Sequence, residues 1–123
     1  VEVDAAGLNN TLGTLQSQGA LRVSVNKDVD NLNGRIIAQA GDLGVTAANL
    51  NSQGGVLSSL QGAFTSTITG VLNNGYDGKR QGGVIQAQRL NLTALGGFNN
   101  YGGRVSARTG EALITTSDFD NRN

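Results

Sequence analysis

The sequence predicts an all-β chain wound as a parallel solenoid of about five coils, and three recurring patterns carry that expectation. An apolar residue followed by Asn or Asp, then Asn or Ser, recurs as Leu8-Asn9-Asn10, Val29-Asp30-Asn31, Leu50-Asn51-Ser52, Leu72-Asn73-Asn74, Phe98-Asn99-Asn100 and Phe119-Asp120-Asn121, at spacings of 21, 21, 22, 26 and 21 residues. A second register follows the triplets: a Gly, one variable residue, then an aliphatic residue, at Gly13/Leu15, Gly34/Ile36, Gly55/Leu57, Gly83/Ile85 and Gly103/Val105. A small residue sits two positions beyond each aliphatic one, as Ser17, Ala38, Ser59, Ala87 and Ala107. The third block alternates with period two, in Leu21/Val23/Val25, Leu43/Val45/Ala47, Leu90/Leu92/Ala94 and Ala112/Ile114/Thr116, with Phe64/Ser66/Ile68 as the poorest copy.

Each pattern specifies an element. Alternation of apolar and polar residues marks a strand with one buried face. Helix competes poorly, because Gly, Asn and β-branched residues dominate and no apolar stripe at helical spacing persists beyond one turn. A unit of about 21 residues therefore holds three short strands separated by Gly/Asn corners. The coils begin near residues 8, 29, 50, 72 and 98, with a partial coil from 119.

No such unit can bury its apolar set alone, so the units must stack, each strand pairing in register with its counterpart ~4.8 Å away in the next coil. Leu15, Ile36, Leu57, Ile85 and Val105 then form an interior column. Asn9, Asn10, Asn31, Asn51, Asn73, Asn74, Asn99 and Asn100 stack at one corner, where their amides can hydrogen-bond along the axis. Nothing at either end has the look of a cap, and the chain is expected to continue beyond Phe119-Asp120-Asn121-Arg122-Asn123.

Composition excludes several classes of chemistry. The 123 residues include no Cys, His, Pro, Met or Trp, which removes disulfides, Cys/His zinc sites and nucleophiles activated by histidine or thiol. Nine basic residues balance nine acidic ones, so the electrostatic footprint of a nucleic-acid binder is missing. No segment approaches the ~18 to 20 consecutive apolar residues of a membrane-spanning helix. The nearest carboxylate pair, Asp28 with Asp30, recurs as Asp118 with Asp120, which suits variants of the Asn corner better than a catalytic dyad. No calcium-binding nonapeptide run occurs, and no cofactor is expected.

The motifs Leu50-Asn51-Ser52-Gln53-Gly54-Gly55-Val56-Leu57 and Phe98-Asn99-Asn100-Tyr101-Gly102-Gly103-Arg104-Val105 resemble the haemagglutinin repeat of the filamentous haemagglutinin family, the large exoproteins of bacterial two-partner secretion. The likeness runs from Gly7 to Asn123. It implies a right-handed parallel β-helix in a secreted or cell-surface fibre, exported through an outer-membrane transporter and attaching to a host-cell glycan or protein receptor. The missing cysteines would suit passage through a narrow pore as an extended chain. The family's secretion domain carries Asn-Pro motifs, and a chain without Pro is not that region. The expected function is a structural and adhesive segment without catalysis. The alternatives are the stalk of a contact-dependent growth inhibition toxin and a fragment of a polysaccharide-active β-helical enzyme.

One break in the period marks the candidate contact. Nine positions separate Asn74 from Gly83, where three separate Ser52 from Gly55. The inserted residues 75–80 should bulge from a corner and present Tyr76, Asp77, Lys79 and Arg80, by ring stacking and hydrogen bonding, to a glycan or protein. Surface loops also lengthen at little thermodynamic cost, so a tolerated insertion is the competing explanation. Arg35 and Arg104 share an outward position, and Arg22, Arg89 and Arg108 also fall on exterior faces among acidic residues.

The inside/outside assignment predicts that Ile36→Asp or Leu57→Asp abolishes cooperative thermal unfolding while Arg35→Asp leaves it in place. Equal tolerance at all three positions would overturn the assignment.

Overall fold

The structure, a computed structural model, describes residues 1–79 and 81–122. All the regular elements of the described residues are strands: β1 (Glu2–Ala5), β2 (Leu8–Asn9), β3 (Thr14–Ser17), β4 (Leu21–Val25), β5 (Asp28–Asp30), β6 (Arg35–Ala38), β7 (Leu43–Ala47), β8 (Asn49–Asn51), β9 (Val56–Ser59), β10 (Ala63–Ile68), β11 (Val71–Asn73), β12 (Val84–Ala94), β13 (Gly97–Asn99), β14 (Arg104–Thr116) and β15 (Phe119–Asp120). They pair in parallel, each with the equivalent strand one turn away, so the chain is a parallel β-helix.

One sheet holds a strand from each turn, in the order β15-β13-β11-β8-β5-β2, and its six strands count about six turns. The triplets expected to recur are stacked in it, with Leu8 opposite Val29, Val29 opposite Leu50, Leu50 opposite Leu72, and Phe98 opposite Leu72 and Phe119. The Gly-x-aliphatic blocks form a second face, with Leu15, Ile36, Leu57, Ile85 and Val105 in one column. The alternating blocks form the third face from β1, β4, β7, β10 and the later halves of β12 and β14.

Three separate strands per coil hold in the early turns only. In the later turns the second and third faces are bridged by continuous strands, β12 and β14. The reason is local. In β12 only Gln88 and Arg89 separate the small residue Ala87 from the first alternating residue Leu90, too short a stretch to leave the strand, whereas Leu60 to Gly62 make a corner before β10. β14 has four residues at that place and runs on by pairing with β12. The register of β12 on β14 slips between Ala87 and Arg89, and the extra residues of β14 are absorbed there, with Gly110 at φ 90°.

The interior is filled by columns from all three faces. Ile36, Leu57 and Ile85 meet Leu43, Phe64 and Leu90 and the third column of Val29, Leu50, Leu72 and Phe98, all buried. Even the poorest copy, Phe64/Ser66/Ile68, is fully inward. Ser66 stands between the aliphatic Val45 and Leu92 in this column, and its buried hydroxyl has no hydrogen-bond partner.

The corner between the first and second faces is held by an amide ladder. The Asn10 Nδ2 donates to Asn31 Oδ1 at 2.9 Å, Asn74 Nδ2 to Asn100 Oδ1 at 2.8 Å and Asn100 Nδ2 to Asn121 Oδ1 at 2.6 Å. The Nδ2 groups of Asn10, Asn31 and Asn74 also reach strand carbonyls of the next turn, those of Arg35, Val56 and Arg104. Asn31 and Asn74 are fully buried, so these bonds satisfy polar groups that water cannot reach. The neighbouring outward column does different work. The Oδ1 atoms of Asn9, Asn73 and Asn99 accept the N–H two residues on, from Thr11, Gly75 and Tyr101, closing the turn within one coil. The expected corner ladder is thus two columns: the inner one ties turn to turn, and the outer one closes turns and also joins two of them where Asn51 Nδ2 donates to Asp30 Oδ1.

The ladder has one gap. Ser52 accepts from Asn31 Nδ2 at 3.1 Å, but its side chain is too short to pass the bond on, and Asn74 Oδ1 is buried without a partner. At the next corner position the chain takes a left-handed backbone, with φ 53° at Asn33, 65° at Gly54 and 72° at Gly102, and Leu12 adopts it too, at 61°. A branched side chain held there stores roughly 1 kcal/mol that Asn or Gly would largely avoid.

Two stabilising changes follow. Ser52→Asn should complete the ladder to Asn74 and raise stability by about 1 kcal/mol, read as a higher urea midpoint at unchanged slope. Leu12→Asn should add about 1 kcal/mol by relieving the backbone. A lowered midpoint for Ser52→Asn would show that the ladder bond does not form.

Candidate functional site

The insertion is a hairpin pinned to the corner. The Tyr76 N–H donates to the Tyr101 carbonyl of the next turn at 2.7 Å, and Tyr76 pairs with Gly82 in an antiparallel bridge. The Asp77 N–H bonds to the Gln81 carbonyl at 2.9 Å, while Asp77 Oδ1 accepts the N–H groups of Lys79 and Gln81 at 2.8 and 3.1 Å. Gln81 Nε2 then reaches back to the Gly54 carbonyl of the preceding turn at 2.5 Å. The hairpin is therefore tied to the turns on both sides, which sharpens the expected bulge into a fixed projection. Gly82 lies so close to the Gly102 carbonyl that no side chain fits, so the hairpin base can close only on glycine.

Of the expected contact residues, Tyr76 and Lys79 are exposed on the hairpin. Asp77 is half-buried, with its carboxylate holding the loop's own N–H groups, so its first role is to shape the hairpin. Arg80 lies outside the described residues. Two residues beyond the expected set join the site. Tyr101, the corner residue of the following turn, sits beside Tyr76, and the Arg122 guanidinium lies over the Tyr101 ring at 5.4 Å from its centroid. Repeat alignment places Thr11, Leu32, Gln53, Gly75, Tyr101 and Arg122 at one outward corner position, and that column is the signal in the sequence that points to them.

The two tyrosines are the only ones in the chain, and they are 42% and 44% exposed on adjacent turns. Neither is needed by the core. Gly102 leaves room for Tyr76, whose Cβ lies 3.1 Å from where a side chain on Gly102 would begin. A shallow groove of about 440 Å³ runs beside the hairpin, floored by Gly82, Gly83, Gly102 and Gly103 and rimmed by Gln81 and Arg104. Arg122 also makes a paired contact with Asp120, Nε to Oδ1 at 2.9 Å and Nη2 to Oδ2 at 2.8 Å. Those hydrogen bonds hold the Asp120 carboxyl below its ordinary range, so the pair persists until acid protonates Asp120. The corner offers ring faces, amide and guanidinium donors and little net charge, a set suited to hydroxyl-rich ligands.

The other candidate positions are accounted for by the ladders. Asp28 accepts from Asn49 Nδ2 at 3.0 Å and Asp30 from Asn51 Nδ2 at 2.9 Å, so the recurring acids occupy Asn-type rungs. Arg35 and Arg104 do share one outward column, but Val56 and Val84 stand between them and break any basic stripe. Arg22, Arg89 and Arg108 are exposed. Comparison with protein-family models, curated proteins and solved structures finds no match for this chain.

Because the chain has no Trp, emission excited at a wavelength that phenylalanine does not absorb arises from the two tyrosines of this corner alone. Acrylamide and iodide should quench that emission in the native state with linear Stern–Volmer plots. A fraction shielded until unfolding would contradict the exposure of one ring.

Proposed function

We propose that this chain is a structural and adhesive segment of a large secreted or cell-surface bacterial exoprotein of the filamentous haemagglutinin kind, and that it attaches through the Tyr76–Tyr101 corner to glycan or protein on another surface. The observation that carries the reading is the presentation of the chain's two tyrosines, joined through the backbone on adjacent turns, on the outside of a rod whose interior does not need them.

The mechanism is mechanical and additive. In-register turns give a stiff support, because each inner strand is bonded to the turns on both sides and the coil interior is packed. A fixed projection on such a support loses little conformational entropy on binding, so a modest contact area still contributes affinity. Stacking of Tyr76 and Tyr101 on an apolar face of a ligand, with Lys79, Gln81, Arg104 and Arg122 donating around it, gives a weak contact that many copies on one surface would multiply.

Beads coated with the chain should adhere to epithelial cell layers. The double variant Tyr76→Ala/Tyr101→Ala should reduce that adhesion several-fold while thermal unfolding changes by no more than about 1 kcal/mol, the size of the lost cation–π contact. Equal adhesion of the variant beads, or no adhesion above that of uncoated beads, would overturn the proposal.

A further inference from the structure

The outer side of the third face carries a second regular feature. Ser24 pairs with Thr46, Thr46 with Thr67, Thr67 with Thr93, and Thr93 with Thr115, so outward hydroxyls stand in one column across five consecutive turns. Inward neighbours on the same strands fill the core, and the column itself supports no packing. Among the described residues, the threonine hydroxyls that donate within the chain are those of Thr109 and Thr116, and none of the column is bonded. Rungs of parallel strands repeat every ~4.8 Å, so these donors and acceptors form a straight row along the axis.

The row borders a trough. In the adjacent outward column Gly44 stands between Arg22 and Thr65, and its missing side chain opens a hollow of about 650 Å³ that Asp42, Thr46 and Thr67 also line. A second hollow of about 550 Å³ shares Thr65 and continues past Arg89, Asn91 and Glu111. The trough therefore runs along the rod rather than across it. Its charges balance, the Val1 ammonium and Arg22 against Glu2 and Asp42, and Arg89 against Glu111, so its field favours neither an anionic nor a cationic partner. The backbone of these central strands is already paired on both sides, which excludes strand addition by a peptide.

We propose that this face binds an extended, uncharged polysaccharide lying along the solenoid axis. The hydroxyl row exchanges hydrogen bonds with the sugar hydroxyls, and the threonine methyl groups contact the apolar ring faces. A polymer with a short linear repeat meets successive rungs, so contacts that are individually weak add along its length. The site is separate from the Tyr76–Tyr101 corner, and the two fail independently.

The test is calorimetric titration of the chain with galactomannan, mixed-linkage glucan and dextran, with heparin as the charged comparison and tyrosine emission followed in parallel. At least one neutral polymer should bind without changing the emission, since no tyrosine lies on this face. Thr46→Val/Thr67→Val/Thr93→Val keeps the branched shape and removes three hydroxyls, and it should weaken binding at least ~10-fold. Gly44→Leu fills the trough and gives a second test, because the new Cβ meets nothing nearer than the Thr65 carbonyl at 4.0 Å. It should also weaken binding. Binding of heparin alone, no binding by any neutral polymer, or full binding by folded Thr→Val and Gly44→Leu variants overturns the proposal. Loss of binding in Tyr76→Ala/Tyr101→Ala instead would overturn it too, and would assign the polysaccharide to the corner.

Discussion

Everything in this molecule depends on the register between one turn and the next. A backbone ladder alone permits slippage, since one parallel rung resembles another, and a shift by one residue would turn every interior side chain outward. The inner amides remove that freedom. Asn10, Asn31 and Asn74 each donate to the side chain of the next rung and to a strand carbonyl beside it, and Asn100 continues the row to Asn121. A slipped turn would leave those groups enclosed and unpaired. The aliphatic columns follow from this lock, because Leu57 meets Ile36 and Ile85 only in that register.

The same constraint explains where variation is allowed. A coil can lengthen at a corner provided that the rung on either side is kept. The insertion after Asn74 does so: Asn74 still bonds Asn100, and Tyr76 still takes the backbone partner on Tyr101. Asp77 holds the hairpin's own N–H groups while Gln81 and Tyr76 bond the turns on either side, so the added length is tied down instead of slack. Outward positions on the strands carry no such requirement, which lets one column hold Arg35, Val56, Val84 and Arg104 and another hold an unbroken run of hydroxyls from Ser24 to Thr115. An unbroken run on a face that need not be regular is what sets the hydroxyl column apart from the surrounding surface.

Much of the fold is legible in the order of residues alone, because in a solenoid each residue contacts its own repeat equivalent. The triplet at Leu50-Asn51-Ser52 specifies its neighbours at residues 29–31 and 72–74, and the alternation in Leu43/Val45/Ala47 specifies a buried side. The later turns are less legible. Whether Gln88 and Arg89 form a corner or let a strand run on depends on how a short connection fits the bend, and that is a matter of three-dimensional closure.

Period, strand identity and the inside/outside pattern were determined by the sequence itself, because they rest on local alternation and on a recurrence that stacking simply repeats. The tertiary structure decided what the recurrence does not encode. It split the Asn corner into an inner column that ties turns together and an outer column that closes them and, at Asp30 and Asn51, also joins two turns, a distinction set by which side chain points inward. It left Asn74 Oδ1 without a partner because Ser52 falls one bond short of it. It also joined Tyr76 to Tyr101, because repeat alignment puts Gly75 and not Tyr76 in the column of Tyr101 and Arg122, and only the closed hairpin sets the Tyr76 backbone against that column.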